Sequence, residues 1–170
     1  MKSTRGLEIR AQGDREIVMV RAFEAPRRMV FDAFTKPELI RRWLLGPDGW
    51  SMPVCEVDLR VGGKYRYVWR RDEDGTEMGM GGVYREIVPV ERIVATETFD
   101  EAWYPGEAVG TVTFAEQSPG TLVTQTMRYA SREARDGVLR SGMEKGAERS
   151  YQRLEEILSE EPDRPAGRKS

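Results

Sequence analysis

The stretch Trp43-Leu-Leu-Gly46-Pro47-Asp48-Gly49-Trp50, followed by Asp58-Leu-Arg60-Val-Gly62-Gly63-Lys64-Tyr65-Arg-Tyr67-Val-Trp69, decides the fold. A helix closes toward Gly46, and a Pro-Asp-Gly turn follows. Two segments of alternating residues then meet at a Gly-Gly pair that supplies the positive backbone angles of a tight hairpin. In the first segment Cys55, Val57 and Leu59 alternate with Glu56, Asp58 and Arg60, which predicts a half-exposed strand. In the second, Tyr65, Tyr67 and Trp69 fall on one face and alternate with Lys64, Arg66, Val68 and Arg70. Three of the four tryptophans lie in this region, as in the wall of an apolar cavity.

Upstream, residues 1–14 read as a flexible leader and Glu16–Phe23 as a first strand rich in β-branched and apolar side chains. Pro26 suits a first helical turn, and Met29, Val30, Ala33 and Phe34 share one helical face. Thr35 and Glu38 have the spacing of a capping box before a second short helix through Leu39, Trp43 and Leu44. Downstream, 77–88, 92–99, 108–116 and 121–130 are strand candidates between Pro- and Gly-containing turns. From about Ser131 to Glu160, Leu139, Met143, Ala147, Leu154, Ile157 and Leu158 predict one long amphipathic helix. Gly142 and Gly146 at the edge of its apolar face predict close approach of a neighbouring element. Residues 161–170 read as a disordered tail. The expectation is therefore a single domain over 15–160.

Composition narrows the functional classes. At 170 residues the chain suits one domain, and its 27 basic and 29 acidic residues are mixed along it. This balance does not favour a nucleic-acid or anionic-membrane partner, and no run approaches the length of a membrane span. Histidine is absent, which excludes His-assisted nucleophiles and His-containing metal sites. Cys55 is the only cysteine, so an intrachain disulfide and a thiolate zinc cluster are excluded. A cytoplasmic location is expected, with no metal or other cofactor.

The element order resembles the helix-grip fold of the START-like or SRPBCC superfamily. The words Phe31-Asp-Ala-Phe-Thr-Lys-Pro37-Glu-Leu-Ile-Arg-Arg-Trp43, Asp58-Leu-Arg60-Val-Gly62-Gly63, Glu86-Ile-Val-Pro89-Val-Glu91-Arg92-Ile93 and Gly142-Met-Glu-Lys-Gly146 resemble the family named after the activator of the heat-shock-protein ATPase. The resemblance implies an α+β fold in which a curved antiparallel sheet, with two short helices after its first strand, wraps a long C-terminal helix. It also implies a cavity that many relatives use for hydrophobic or aromatic molecules. Ala147 follows Gly146 where the family often has a tryptophan, a change that either enlarges the cavity or is repacked by a neighbour.

Trp43, Trp50, Tyr65, Tyr67, Trp69, Met78, Met80, Trp103 and Met143 are the candidate ligand-binding residues. Aromatic and methionine side chains suit an adaptable apolar pocket, and the same residues also serve as ordinary core. Trp43 and Trp50 flank a loop placed either to gate the cavity or to be pinned against the sheet. Trp103 and Tyr104 occupy a loop that closes over a ligand or joins a subunit interface.

Among Asp58, Glu86, Glu97 and Arg128, Glu97 is the strongest acid-base candidate because it shares the twofold phase of Ile93, Ala95 and Phe99. A salt-bridged strand residue is the plainer reading. No catalytic constellation is recognisable. The first functional reading is binding of a hydrophobic or aromatic small molecule. The alternatives are a cofactor-independent cyclase, dehydratase or hydrolase using the same cavity, and a co-chaperone stimulating an ATPase through its surface. The chain's single domain, without the additional N-terminal domain of the eukaryotic activators, weighs against the last. A homodimer is a further expectation.

Overall fold

The computed structural model describes residues 6–160. Its strands are β1 (Glu8–Gln12), β2 (Glu16–Phe23), β3 (Trp50–Val57), β4 (Lys64–Arg71), β5 (Glu77–Val88), β6 (Arg92–Phe99), β7 (Ala108–Gln117) and β8 (Gly120–Arg128). They form one antiparallel sheet in the order β1-β2-β8-β7-β6-β5-β4-β3. The helices are α1 (Arg27–Thr35), α2 (Pro37–Trp43), α3 (Arg132–Arg140) and α4 (Met143–Glu160). The sheet curves around α4 while α1 and α2 close one end, the helix-grip arrangement implied by the family resemblance.

Alternation explains which faces turn inward. On β4, Tyr65 and Tyr67 are buried, whereas Lys64 and Arg70 are exposed. One core cluster joins α1, α2 and α4 to strands across the sheet, with Trp43, Tyr65, Tyr67, Tyr84, Phe114 of β7 and Leu154 among its members. A second joins Ile17, Met19, Met127 and Tyr129 of the other half of the sheet to Ala134 and Val138 of α3. The space between these clusters positions the site.

Four local expectations are corrected. Glu8–Gln12, read as part of a flexible leader, pairs with β2 as the edge strand β1. Arg135, only 4% exposed, holds the intervening turn by donating to the carbonyls of Gly13 at 3.2 Å and Glu16 at 2.9 Å. Residues 1–5 of that leader and the tail 161–170 lie outside the described residues.

The terminal helix is divided. Gly142 adopts φ 82°, a left-handed conformation favouring glycine, so it stops α3 before α4 begins. Its role is conformational, whereas Gly146 sits against the loop below: an added Cβ there would lie 3.2 Å from Pro47 Cδ. Apolar periodicity continues across the break, which is why pattern alone joins the two helices.

The capping box does not form. Lys36 occupies the N-cap of α2, and the Thr35 hydroxyl donates instead to the Phe31 carbonyl at 2.9 Å. The strand before the Gly-Gly turn is also shorter than its alternation suggests: β3 ends at Val57, leaving Leu59 40% exposed. The Arg60–Asp58 ion pair lies in this connection.

Candidate functional site

A cavity of about 600 Å³ lies between the inner face of the sheet and α4. Its β4–β5 wall follows from cross-strand register: Tyr65 opposes Gly82, Tyr67 opposes Met80, and Trp69 opposes Met78. Each aromatic ring thus faces either a flexible methionine or a glycine. Gly82 makes room where space is tightest, because an added Cβ would fall 1.9 Å from the Thr96 carbonyl oxygen. Across this narrow point the Tyr65 hydroxyl donates to that carbonyl at 2.6 Å.

Trp43, Trp50 and Met143 complete the candidate residues brought to the cavity, together with Tyr65, Tyr67, Trp69, Met78 and Met80. Trp43 is buried; its indole N–H donates to the Ala33 carbonyl at 2.8 Å, and its ring stacks on Tyr151 with 5.7 Å between centroids. The Trp69 indole N–H donates to the Leu44 carbonyl at 2.7 Å. These bonds hold large rings in place while their apolar surfaces face the interior. Met78 is 43% exposed and marks the outer part of the lining.

Trp103 is the exception. It is 46% exposed outside the cavity, packed edge-on against Phe99 and Tyr104. The loop carrying it turns Tyr104 inward instead, where the hydroxyl bonds to Glu97. The sequence placed both aromatics in one loop but gave no alternation to distinguish inward from outward.

Glu97 lines the cavity from β6. Its Oε2 accepts the Tyr104 hydroxyl at 2.7 Å, while Oε1 has no hydrogen-bond partner among the described residues. Although the residue as a whole is half-buried, its carboxyl is largely withdrawn from bulk solvent. Burial raises its pKa above the ordinary carboxylate value, and the Tyr104 bond opposes that rise. The salt-bridged alternative is not what forms: no ion pair engages Glu97 among the described residues.

Asp58 and Glu86 instead pair with Arg60 and Arg92 at the surface, and Arg128 is exposed. Cys55 is buried, which pushes its thiol up to about 11 and suits a packing residue. Sequence reasoning missed Met19, Gln125, Met127 and Tyr151, which line the β2–β8 and α4 sides. Tyr151 donates its hydroxyl to Gln125 Oε1 at 2.9 Å. Alternation along β8 could have drawn attention to Gln125 and Met127, but not to their meeting α4.

The 44–49 loop is latched over the cavity. Arg153 donates to the Gly46 carbonyl at 2.8 Å and Asp48 Oδ1 at 3.0 Å, while Gly46 N–H donates to Ser150 Oγ at 2.9 Å. Arg149 also reaches Asp48 Oδ1 at 2.9 Å. The Arg149 guanidinium, with Arg153 beside it, holds the Asp48 carboxyl below the usual range. The loop contributes Leu44, Leu45 and Pro47 to the cavity lining, so the flanking tryptophans work with a polar latch.

Fold and interior together define a START-like helix-grip protein. The chain belongs to the Activator of Hsp90 ATPase homolog 1-like protein family, whose model matches residues 24–159. It is similar to a crystal structure from Rhodobacter sphaeroides at TM-score 0.86 and 29% identity, covering 91% of this chain and 99% of that one. A protein from Chromobacterium violaceum has TM-score 0.77 and 31% identity, with coverages of 89% and 100%. An AHSA1-like protein from Aeromonas hydrophila shares the fold at TM-score 0.68 and 20% identity, over 84% of this chain and 93% of its own. No curated protein matches. Among the described residues, no helix is long and apolar enough to cross a membrane.

Proposed function

We propose that this protein binds a hydrophobic, preferentially aromatic small molecule in the cavity between the sheet and α4. The supporting observation is a cavity of about 600 Å³ bordered by large side chains, of which Trp43, Tyr65, Trp69 and Tyr151 have their polar ends already bonded to protein acceptors. Such walls can lose water to a ligand without first losing these anchoring bonds. Burial of an apolar ligand contributes roughly 25 cal/mol per Å² of apolar surface removed from water, offset by the costs of association.

Family membership accommodates ligand binding or a partner-facing role. The cavity favours the first, because a surface-mediated activator does not require a spacious interior. The Glu97–Tyr104 pair also keeps the enzymatic alternative in view: a buried carboxyl beside a phenol can participate in proton transfer. Binding remains the better-supported reading because it uses the whole cavity wall.

Native mass spectrometry of freshly purified protein, followed by denaturing extraction, tests for a stoichiometric apolar passenger. Fluorescence titration with N-phenylnaphthylamine extends the test to a defined aromatic probe. Saturable one-to-one binding supports the proposal; no binding of this probe and no extracted passenger contradict it.

A further inference from the structure

The polar groups of the cavity are unequally satisfied. The Trp43 and Trp69 indoles and the Tyr65 and Tyr151 hydroxyls donate to protein acceptors, whereas the Tyr67 and Tyr84 hydroxyls and the Trp50 indole, all neutral, have no hydrogen-bond partner among the described residues. Glu97 Oε1 is the ionisable acid atom among these groups without a protein hydrogen-bond partner among the described residues, while its companion oxygen is fixed by Tyr104. Glu97 is the only acidic residue in the described lining, and that lining contains no Lys or Arg. An acceptor capable of negative charge therefore faces an otherwise uncharged, aromatic-rich space.

We infer that the preferred ligand is an apolar amine whose ammonium group engages Glu97 Oε1 while its hydrocarbon body occupies the aromatic and methionine-lined cavity. This inference rests on the ligand-binding reading above and assigns it a chemical class. An ammonium donor fills the missing hydrogen bond and supplies the opposite charge in one group. The neighbouring π faces also favour a cation over a second anion. A ligand carboxylate would instead meet Glu97 without a basic lining residue to offset like charge. A hydrocarbon with no donor would leave Oε1 unpaired after water is displaced.

Tyr104 has a positioning role in this arrangement. Its bond to Oε2 restricts the carboxyl and leaves Oε1 for the incoming amine. Gly82 supports the same geometry from β5: the close approach to Thr96 preserves the passage of the Tyr65 ring beside this wall.

The test compares naphthylmethylamine with naphthylmethanol by isothermal titration at neutral pH, using wild-type protein, Glu97→Gln and Tyr104→Phe. The amine is expected to bind wild type at least about tenfold more tightly than the alcohol, a difference of ~1.4 kcal/mol. Glu97→Gln is expected to remove that preference, while Tyr104→Phe retains a preference for the amine because the carboxylate remains. Circular dichroism and thermal unfolding establish that each variant is folded. Equal affinity for the two probes in wild type, or an undiminished amine preference in folded Glu97→Gln, overturns the inference. If naphthylmethylamine fails while N-phenylnaphthylamine binds, the amine assignment fails and the cavity reading survives. Failure of all three probes, with no passenger extracted, overturns both. If Glu97→Gln does not fold, the wild-type comparison of the amine with the alcohol decides alone.

Discussion

The Tyr104 hydroxyl donates to Glu97 Oε2 at 2.7 Å, tying the loop after β6 to the cavity wall. Burial opposes ionisation of this carboxyl in the folded protein, so its pKa is raised even though the Tyr104 bond favours the charged form. The folded state consequently retains a proton over a pH interval in which the unfolded carboxyl has released it. Its stabilising contribution is fullest below the unfolded pKa and falls as pH rises toward the raised folded value. Glu97→Gln should therefore gain stability relative to wild type across that rise. Urea unfolding of both proteins over a pH series checks the sign; a variant-minus-wild-type difference that decreases with pH contradicts it.

Arg153 connects α4 to the loop through Gly46 and Asp48. Arg153→Ala should cost about 1–3 kcal/mol by removing charge-assisted bonds and leaving a loop carbonyl less well satisfied. The effect should be concentrated in 44–49. Equilibrium denaturation measures the stability loss, while amide hydrogen exchange should reveal faster opening of this loop than of β7 and β8. Unchanged protection in 44–49 would contradict the latch.

At Gly82 backbone clearance is what glycine provides. An alanine Cβ would lie 1.9 Å from Thr96 O, too close to be relieved by a side-chain rotation alone. Gly82→Ala should therefore destabilise the fold by about 3 kcal/mol or more. Chemical unfolding of the variant, compared with Gly137→Ala, separates this steric effect from a generic glycine substitution. Gly137 is a suitable comparison because, outside its chain neighbours and its own helix backbone, no atom lies within 4 Å of its added Cβ. Similar behaviour at the two positions would contradict the close-approach argument.

Ala147 lines the cavity from α4, and replacing it with tryptophan tests whether its small side chain preserves ligand space. Ala147→Trp should reduce N-phenylnaphthylamine affinity by at least about tenfold, or ~1.4 kcal/mol. Partial filling of the interior should leave stability unchanged or raise it by ~0.5–2 kcal/mol. Fluorescence titration and thermal unfolding read the two effects separately. Wild-type affinity in a folded variant would contradict placement of the probe in this cavity.

Much of this organisation is legible from local sequence. Alternation at Tyr65, Tyr67 and Trp69 identifies one inward face of β4, and Gly62-Gly63 marks the preceding connection. The phase shared by Ile93, Ala95, Glu97 and Phe99 likewise brings Glu97 to the cavity. By contrast, nothing in the weak pattern of Glu8–Gln12 reveals that Arg135 will secure its turn against the sheet. The periodicity of α3 and α4 similarly conceals the reversal at Gly142.

Long-range geometry also separates neighbouring candidates. Trp103 and Tyr104 share a loop, yet only Tyr104 reaches Glu97 while Trp103 remains exposed. Tyr151 and Gln125 acquire their relationship only when α4 crosses the sheet. Sequence patterning identifies many cavity walls, but the cross-strand register and helix break determine how they meet.

Titration of wild-type and Ala147→Trp protein with N-phenylnaphthylamine, followed by fluorescence, decides whether a hydrophobic ligand occupies this interior. Saturable one-to-one binding to wild type and at least about tenfold weaker binding to the folded variant are expected. No binding to wild type together with no extracted passenger, or equal binding to both proteins, contradicts assignment of a hydrophobic ligand to the cavity between the sheet and α4.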